Sequence, residues 1–496
     1  MDSGDRLTRR HLLERAGWVF AAAAGTPAGR LRAEPRAQAA PAKGASGVMA
    51  TLSAYMSEAA ERDLPADALE KTKHHLLDTL AAMVSGVELP PGQVALKFAR
   101  AHGAEKTATV VGTNILGSAI DAALVNGMLA HSDETDDSHA PSHSHPGCAV
   151  VPAALAAGEH FGVSGARLLR AVALGYDIGT RVTMTLGGSA FQTTTHRSSH
   201  NFAGNFGAAA AAGCAAGLTS RQMRWLLDYS AQQASGVAAW QRDTEHVEKS
   251  LVFAGMPARN GVTSALLIAL GGTGVDDIIS GDDNFLLTNA PKADPANLID
   301  RLGERYEVTR TNIKKWTVGS PIQAPLDALE ILRKKHPWEP AQVQKVVVRV
   351  ATSEAKTVNN RDMPDISMQH MIAVMLLDKT ASFAAAHDKA RMKDPAVVRE
   401  RAKVQLVPDE ELERLSPRRI GVVEVTLTDG TQLTERVEAV RGTTGNPMPR
   451  DEVIGKGQDL MARFLGAAKS KRLIDKVFDL EHLEDIRTLR PLLQRD

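Results

Sequence analysis

"NFGAAAAAGCAAGLTSRQMRWLLDYSAQQASG", residues 205–236, carries no charged side chain from Phe206 to Leu218. A helix that is apolar on every side belongs inside a bundle, and its Ala and Gly let neighbouring axes approach closely. "CAVVPAALAAGEHFG" (148–162) has the same texture, and "RNGVTSALLIALGGTG" (259–274) repeats it with a glycine stop. "SAIDAALVNGMLAH" (118–131) offers Ser118 as an N-cap with Asp121 three residues on, and lines up Ile120, Leu124, Met128 and His131 on one face. These stretches predict an all-helical main domain over residues 46–310.

The texture changes after that point. "AQVQKVVVRVATSEA" (341–355) alternates apolar and polar residues, as a strand with one buried face does. "RIGVVEVTLTDGTQLTERVEAV" (419–440) is two alternating runs joined by Asp429-Gly430, a strong hairpin signal. Helical segments such as "MQHMIAVMLLDKTASFAAAHD" (368–388) lie between them. Residues 311–444 therefore read as a smaller α+β lid domain, and residues 445–496 as helices returning to the main domain. The predicted class is mainly α.

Bulk composition narrows the partners. The formal net charge is +0, so nothing global steers the chain toward nucleic acid or an anionic membrane. No apolar run is expected to reach the roughly 20 residues of a membrane span. The two cysteines, Cys148 and Cys214, suggest free core thiols, with a single bridge as the alternative in an oxidising compartment. At the front, "RLTRRHLLERAGWVFAAAAGTPAG" (6–29) places Arg9-Arg10 before a short apolar stretch, and Ala37-Gln38-Ala39 follows further on. That order resembles a twin-arginine export signal, so residues 1–45 are expected to be signal and linker and the protein periplasmic.

The chemistry concentrates in "HSDETDDSHAPSHSHPGC" (131–148), which holds Asp133, Glu134, Asp136 and Asp137 beside His131, His139, His143 and His145. A metal nest, an acid–base site without metal and a solvated loop all fit such a run. Helical spacing puts His131 and Glu134 on one face, Pro141 and Pro146 force the later histidines into a loop, and His145 sits before the next helix. No His-Glu-x-x-His or Glu-x-x-His pair occurs, which removes the sequence support for zincin or di-iron sites. Two other stretches supply positive charge. "WQRDTEHVEKSLVFAGMPARNG" (240–261) holds Arg242, His246, Lys249 and Arg259, and "NIKKWTVGSPIQAPLDALEIL" (312–332) holds Lys314 and Lys315. Lysines bordering apolar helices suit carboxylate binding.

Together and in this order, these stretches resemble the MmgE/PrpD family. Its pattern of His-Ala-x-Asp-Phe-Asp-Asp-Thr-His, a short loop, His-Pro-Gly and Pro-Ala-Ala-Leu-Ala reads here as "HSDETDDSH", "APSHS", "HPG" and "VVPAALAAGE". The later lysine matches Lys249, the lysine of Lys-x-Tyr-Pro-Cys-Cys matches Lys314, and the Gly-Asn-Pro turn matches "RGTTGNP". The resemblance implies a helical main domain, an α+β lid, a homodimer and a small polycarboxylate substrate. No cofactor is expected, and the missing metal-ligand pairs favour a site that works without metal.

Carried over residue by residue, the family's catalytic positions fall on His145, Glu134, Lys249, Lys314 and His200. Arg242, Gln323 and His131 are the expected substrate-binding residues. Glu134 replaces an Asp, and Gln323 stands where many members have a His; Gln hydrogen-bonds but cannot exchange a proton near neutral pH. A reaction needing a second imidazole would take it from His131 or His200. The implied activity is a lyase reaction, dehydration or decarboxylation as in 2-methylcitrate dehydratase or cis-aconitate decarboxylase. The lysines would hold developing enolate charge, His145 would move the proton, and Glu134 would orient an imidazole. An epimerase or isomerase on the same site, a metal-dependent hydrolase and a non-catalytic polycarboxylate binder are the alternatives.

Overall fold

The computed structural model describes residues 45–102, 105–416 and 418–495. The expected export signal falls outside these residues apart from Ala45 at its edge. Among the described residues helices dominate and the sheets are small, which is the mainly α class with a smaller α+β part.

The small residues of the opening stretch explain themselves in the packing. Helix α1 (Ala66–Gly86), α2 (Ala119–Ala130), α3 (Gly147–Phe161), α4 (Gly165–Leu186) and α5 (Ser199–Ala216) form the centre of a large apolar core, and α5 is buried through Ala215. The α4 and α5 backbones come so close that a Cβ on Gly179 would sit 2.2 Å from the carbonyl oxygen of Ala203. A close-packed interior has no slack for that atom, so glycine is required there.

Helix α2 begins as its sequence predicts. Ser118 Oγ accepts from the Asp121 backbone N–H at 3.1 Å and donates to its carboxylate at 2.7 Å. It ends earlier than expected. His131 already has φ −117° and ψ 38°, so Glu134 lies beyond the helix and the two do not share a helical face.

A longer helix runs from Val247 through a single π-helical segment (Leu251–Gly255) into α6 (Met256–Ala269). An 18-residue window of this 23-residue helix has mean hydropathy 1.2 and passes a length and composition test for a membrane span, although Glu248, Lys249 and Arg259 interrupt the helix's apolar run. Within this fold it is a core helix, with 61% of the apolar window buried.

A second core draws on residues between Trp316 and Val440. Helix α7 (Ser320–Lys335) and α8 (Met368–Asp378) pack with strands β1 (Val343–Ala351), β2 (Val404–Asp409), β3 (Gly421–Leu427) and β4 (Gln432–Val437) in the order β2-β1-β3-β4. The β1–β2 pair is parallel, so the chain between them must cross over, and α8 lies in that crossover. The Asp429-Gly430 hairpin forms as read, with Gly430 at φ 89°. Strand β1 stops at Ala351 and turns into a helix, so the last residues of the alternating run are not strand. The helical stretch 368–388 is likewise two helices, parted at Lys379 with φ 64°.

Helix α9 (Arg450–Leu465) lies on α1. Lys456 reaches through to the Asp78 carboxylate at 2.6 Å and the Thr135 carbonyl at 2.9 Å, and Leu460, Met461 and Phe464 join the first core. Cys148 and Cys214 are both buried and free.

Candidate active site

The acidic–histidine run is buried, which removes the solvated-loop reading. Asp133, Glu134, Asp136, Asp137, His131 and His139 are each at most 6% exposed. Charges in such a place must be paired, and each of the four carboxylates has a different partner set.

Asp137 builds the scaffold. It accepts from the Gly147 N–H at 3.0 Å, so it caps the first turn of α3, and it also meets His75 Nδ1 at 2.8 Å and the Tyr176 hydroxyl. Gly147 of the "HPG" motif leaves the room for this, since a Cβ there would lie 2.5 Å from the Tyr176 oxygen. Asp133 accepts from the Thr135 N–H and hydroxyl, and lies 2.8 Å from His387 Nε2 of the second half of the chain.

Asp136 is the orienting group. Its Oδ2 is 2.9 Å from His131 Nδ1 and its Oδ1 is 3.2 Å from His145 Nδ1, so one carboxylate fixes two imidazoles. Burial opposes its charge, but the two rings hold it ionised well below the usual carboxylate range. An ionised carboxylate can only accept, so both rings carry their proton on Nδ1 and turn Nε2 away. Burial pushes His145 below its ordinary value, although Asp136 pulls the other way.

Glu134 is the cation-binding group. Lys249 donates to its Oε1, and Lys314 Nζ lies 3.5 Å from its Oε2. Burial opposes ionisation here too, and the two ammonium groups keep the carboxylate well below its usual range. Lys314 also donates to the Glu134 carbonyl at 2.7 Å and stands 3.7 Å from Asp136. Glu134 therefore pairs with the lysines, and the imidazole-orienting task expected of it belongs to Asp136.

Lys314 is brought in by local backbone. Asn312 and Ser138 exchange N–H···O bonds at 2.8 and 2.9 Å, tying its segment to the run. Ile313 N–H donates to the Gly442 carbonyl at 3.0 Å. Gly442, from "RGTTGNP", has φ 94°, and a Cβ on it would fall 1.8 Å from the Ile313 oxygen, so no other residue fits.

The π-helical segment places Phe253 between two imidazoles. It stacks on His200 at 3.8 Å and on His131 at 4.7 Å between ring centroids, with Trp240 edge-on at 4.6 Å. His200 lies 5.3 Å from His145, and burial pushes it well below its ordinary value. Lys249 rests over Phe253 and Trp240.

Five of the expected site residues, His145, Glu134, Lys249, Lys314 and His200, thus meet in one cluster, and His131 joins them. Arg242 does not: it is exposed at the end of the 3₁₀ turn Ala238–Arg242 and shares no hydrogen bond or ion pair with the cluster. Gln323 makes no hydrogen bond to the cluster either. Its Oε1 accepts from Trp316 N–H, and its Nε2 donates to the Trp316 and Val318 carbonyls, so its amide holds the turn after Lys314.

Two residues outside the expected set complete the site. Asp136 lay in the quoted run but was eclipsed by the helical spacing assumed for Glu134. His246, 3.9 Å from Glu134 Oε1 and 5.1 Å from His131, sat beside Arg242 in a basic stretch that was read for charge.

The MmgE/PrpD N-terminal domain matches residues 50–297, and the MmgE/PrpD C-terminal domain matches residues 316–480. The chain belongs to the MmgE/PrpD family. It is similar to cis-aconitate decarboxylase of Aspergillus terreus, at 26% identity over 92% of this chain and 98% of that protein. It is also similar to the human and mouse proteins of that name, at 26% and 24% identity, each over 86% of this chain and 90% and 89% of theirs. The residues of the cluster lie within the first matched region, except Lys314, which stands just before the second.

Proposed function

We propose that this MmgE/PrpD-family chain is a lyase acting on a small di- or tricarboxylic acid by acid–base chemistry without metal. Decarboxylation of cis-aconitate is the reaction the relatives' names favour, and dehydration of a 2-methylcitrate-like substrate is the neighbouring reading. The carrying observation is the Asp136 carboxylate holding His131 and His145 beside the Lys249–Glu134–Lys314 ion pairs.

In the free site Glu134 stands in for a substrate carboxylate on Lys249. A polyanion entering past Lys249 and His145, whose side chains are 17% and 11% exposed, would take over that ammonium. Loss of carbon dioxide or of an α-proton leaves an electron pair that a neighbouring carboxylate must share. Fixed ammonium groups in a desolvated site stabilise that charge most, because it is greatest in the transition state. His145 starts neutral and can take a proton in dehydration. The negative charge of a bound substrate would raise its affinity for a proton, which it then returns to carbon in decarboxylation.

A screen of di- and tricarboxylic acids, followed by NMR in deuterated water with and without chelator, tests this. Turnover that releases carbon dioxide or water and survives chelation supports it. Binding without turnover or solvent exchange would make the protein a binder. One tightly held ion lost together with activity would make it a metalloenzyme. The chain is further proposed to work as a homodimer, checked by sedimentation. Export to the periplasm rests on Arg9 and Arg10, and their replacement by Lys should strand folded protein in the cytoplasm.

A further inference from the structure

His131 Nε2 and His246 Nε2 are buried and have no hydrogen-bond partner. Leaving a buried polar atom unpaired costs about 1–3 kcal/mol. His131, His246 and Glu134 each offer one donor atom, and the three lie within 4.8 Å of one another, with His246 Nε2 3.9 Å from Glu134 Oε1. Asp136 engages His131 through Nδ1, which leaves Nε2 as the unpartnered nitrogen. A carboxylate behind an imidazole is the arrangement that orients metal-binding histidines. His246 itself is held at φ 63°, a left-handed conformation that a non-glycine residue adopts at a cost, and this places its ring in the cluster.

We propose that His131 Nε2, His246 Nε2 and Glu134 Oε1 form a site for a divalent cation of the zinc class, which competes with the Lys249 ammonium for Glu134. Two imidazoles and one carboxylate suit zinc or cobalt better than calcium or magnesium, which prefer all-oxygen sites. The neighbouring trio of His131, Asp136 and Cys148 is the weaker candidate. Both Asp136 oxygens already hold imidazoles, and burial pushes the Cys148 thiol well up, so it stays protonated.

Competition follows from geometry. Lys249 occupies Glu134 Oε1, and a metal needs each donor at about 2 Å. The 3.9 Å gap between His246 Nε2 and Glu134 Oε1 can close around a cation only when the ammonium leaves. The binding site stands on its donor atoms alone. Its consequence, inhibition, rests on the proposed lyase function, because the cation would engage Glu134 and His131 and place a second positive charge where the Lys249 ammonium now sits.

The full chain, stripped with chelator and titrated with cobalt(II), tests the site. Expected are one cobalt per chain, the intense visible bands of a four- or five-coordinate ion, and their loss on adding zinc. His246→Gln should abolish the bands. Lys249→Met, which removes the rival cation, should bind cobalt about tenfold tighter or more. Weak six-coordinate bands only, bands unchanged in His246→Gln, or no gain in Lys249→Met would each overturn the proposal. If His246→Gln does not fold, the Lys249→Met titration decides alone. In the wild type, one equivalent of zinc should stop turnover. Undiminished turnover with zinc bound would leave the site standing and remove these residues from the lyase mechanism.

Discussion

Nδ1 of His145 lies 3.2 Å from Oδ1 of Asp136, whose other oxygen holds His131 at 2.9 Å. The shared carboxylate sets the tautomer of both rings, while burial keeps His145 below its ordinary value. In a reaction that begins with proton abstraction, the neutral ring is the active form. Lowering the pKa extends that form to more acid conditions, so kcat/KM should stay level down through about pH 6.5 and fall only below it. Asp136→Asn removes the pull that opposes burial and the acceptor that fixes Nδ1–H. It should move the acid limb lower still and cost roughly 10²–10⁴-fold in kcat. An acid limb that persists unmoved in Asp136→Asn would assign it to another group.

Much of the fold could be read from single stretches, because each signal was local. The Ser118 cap, the Asp429-Gly430 turn and the Ala/Gly helices depend only on residues next to one another. The site was legible as far as residue type and family pattern reached. What stayed hidden was partner choice. Glu134 and Asp136 are both acids in one run, and only the fold decides that the lysines go to the first and the imidazoles to the second. Gln323 and Arg242 lie apart from the cluster for the opposite reason. Their chemistry suits a substrate, but one is engaged by backbone and the other points to solvent.

Gln323 makes three hydrogen bonds to the turn at Trp316–Val318. Gln323→Ala leaves buried backbone groups unpaired and should lower stability by about 1–3 kcal/mol, seen in thermal melts. Because Lys314 lies two residues upstream, kcat should fall with it. An unchanged melting temperature with only a raised KM would return Gln323 to substrate binding.

His387 Nε2 stands 2.8 Å from Asp133 Oδ2, as a close ion pair, and His387 Nδ1 lies 2.7 Å from the Phe383 carbonyl. Burial opposes a charged ring, but Asp133 and Asp365 outweigh it and raise His387 to about 9. A raised folded-state pKa contributes stability that is full below about pH 6.5 and lost as pH rises through about 9. The contribution is on the order of 3 kcal/mol. His74, His143 and His370, each pushed by burial down to about 4, act on the other side. Unfolded chains take up those protons first, so stability also falls as pH drops below about 6.5. Burial also raises Asp177 to about 6 and Asp365 to about 7, which lowers stability as pH climbs from the ordinary carboxylate range to those values. In denaturant melts His387→Gln should therefore flatten the alkaline arm between about pH 7 and 9. An alkaline arm retained in that variant would assign it elsewhere.

Lys249 and His145 act on the same transition state in the proposed reaction, one holding charge and the other moving the proton. Lys249→Ala should lower kcat by about 10²-fold or more, beyond any loss of uniform substrate binding. It also leaves Glu134 with Lys314 as its remaining ammonium at 3.5 Å, so the variant's fold should be checked by its melt. His145→Ala should cost roughly 10²–10⁴-fold and erase the limb of the pH profile that His145 sets, the acid limb where it abstracts a proton and the alkaline limb where it returns one to carbon. Once the proton cannot be delivered, charge stabilisation has less to act on, so the double variant should lose far less than the product of the two single effects. A binding protein would respond differently, with Lys249→Ala weakening affinity and His145→Ala changing little. Multiplicative losses confined to KM would therefore count against the lyase and for the binder.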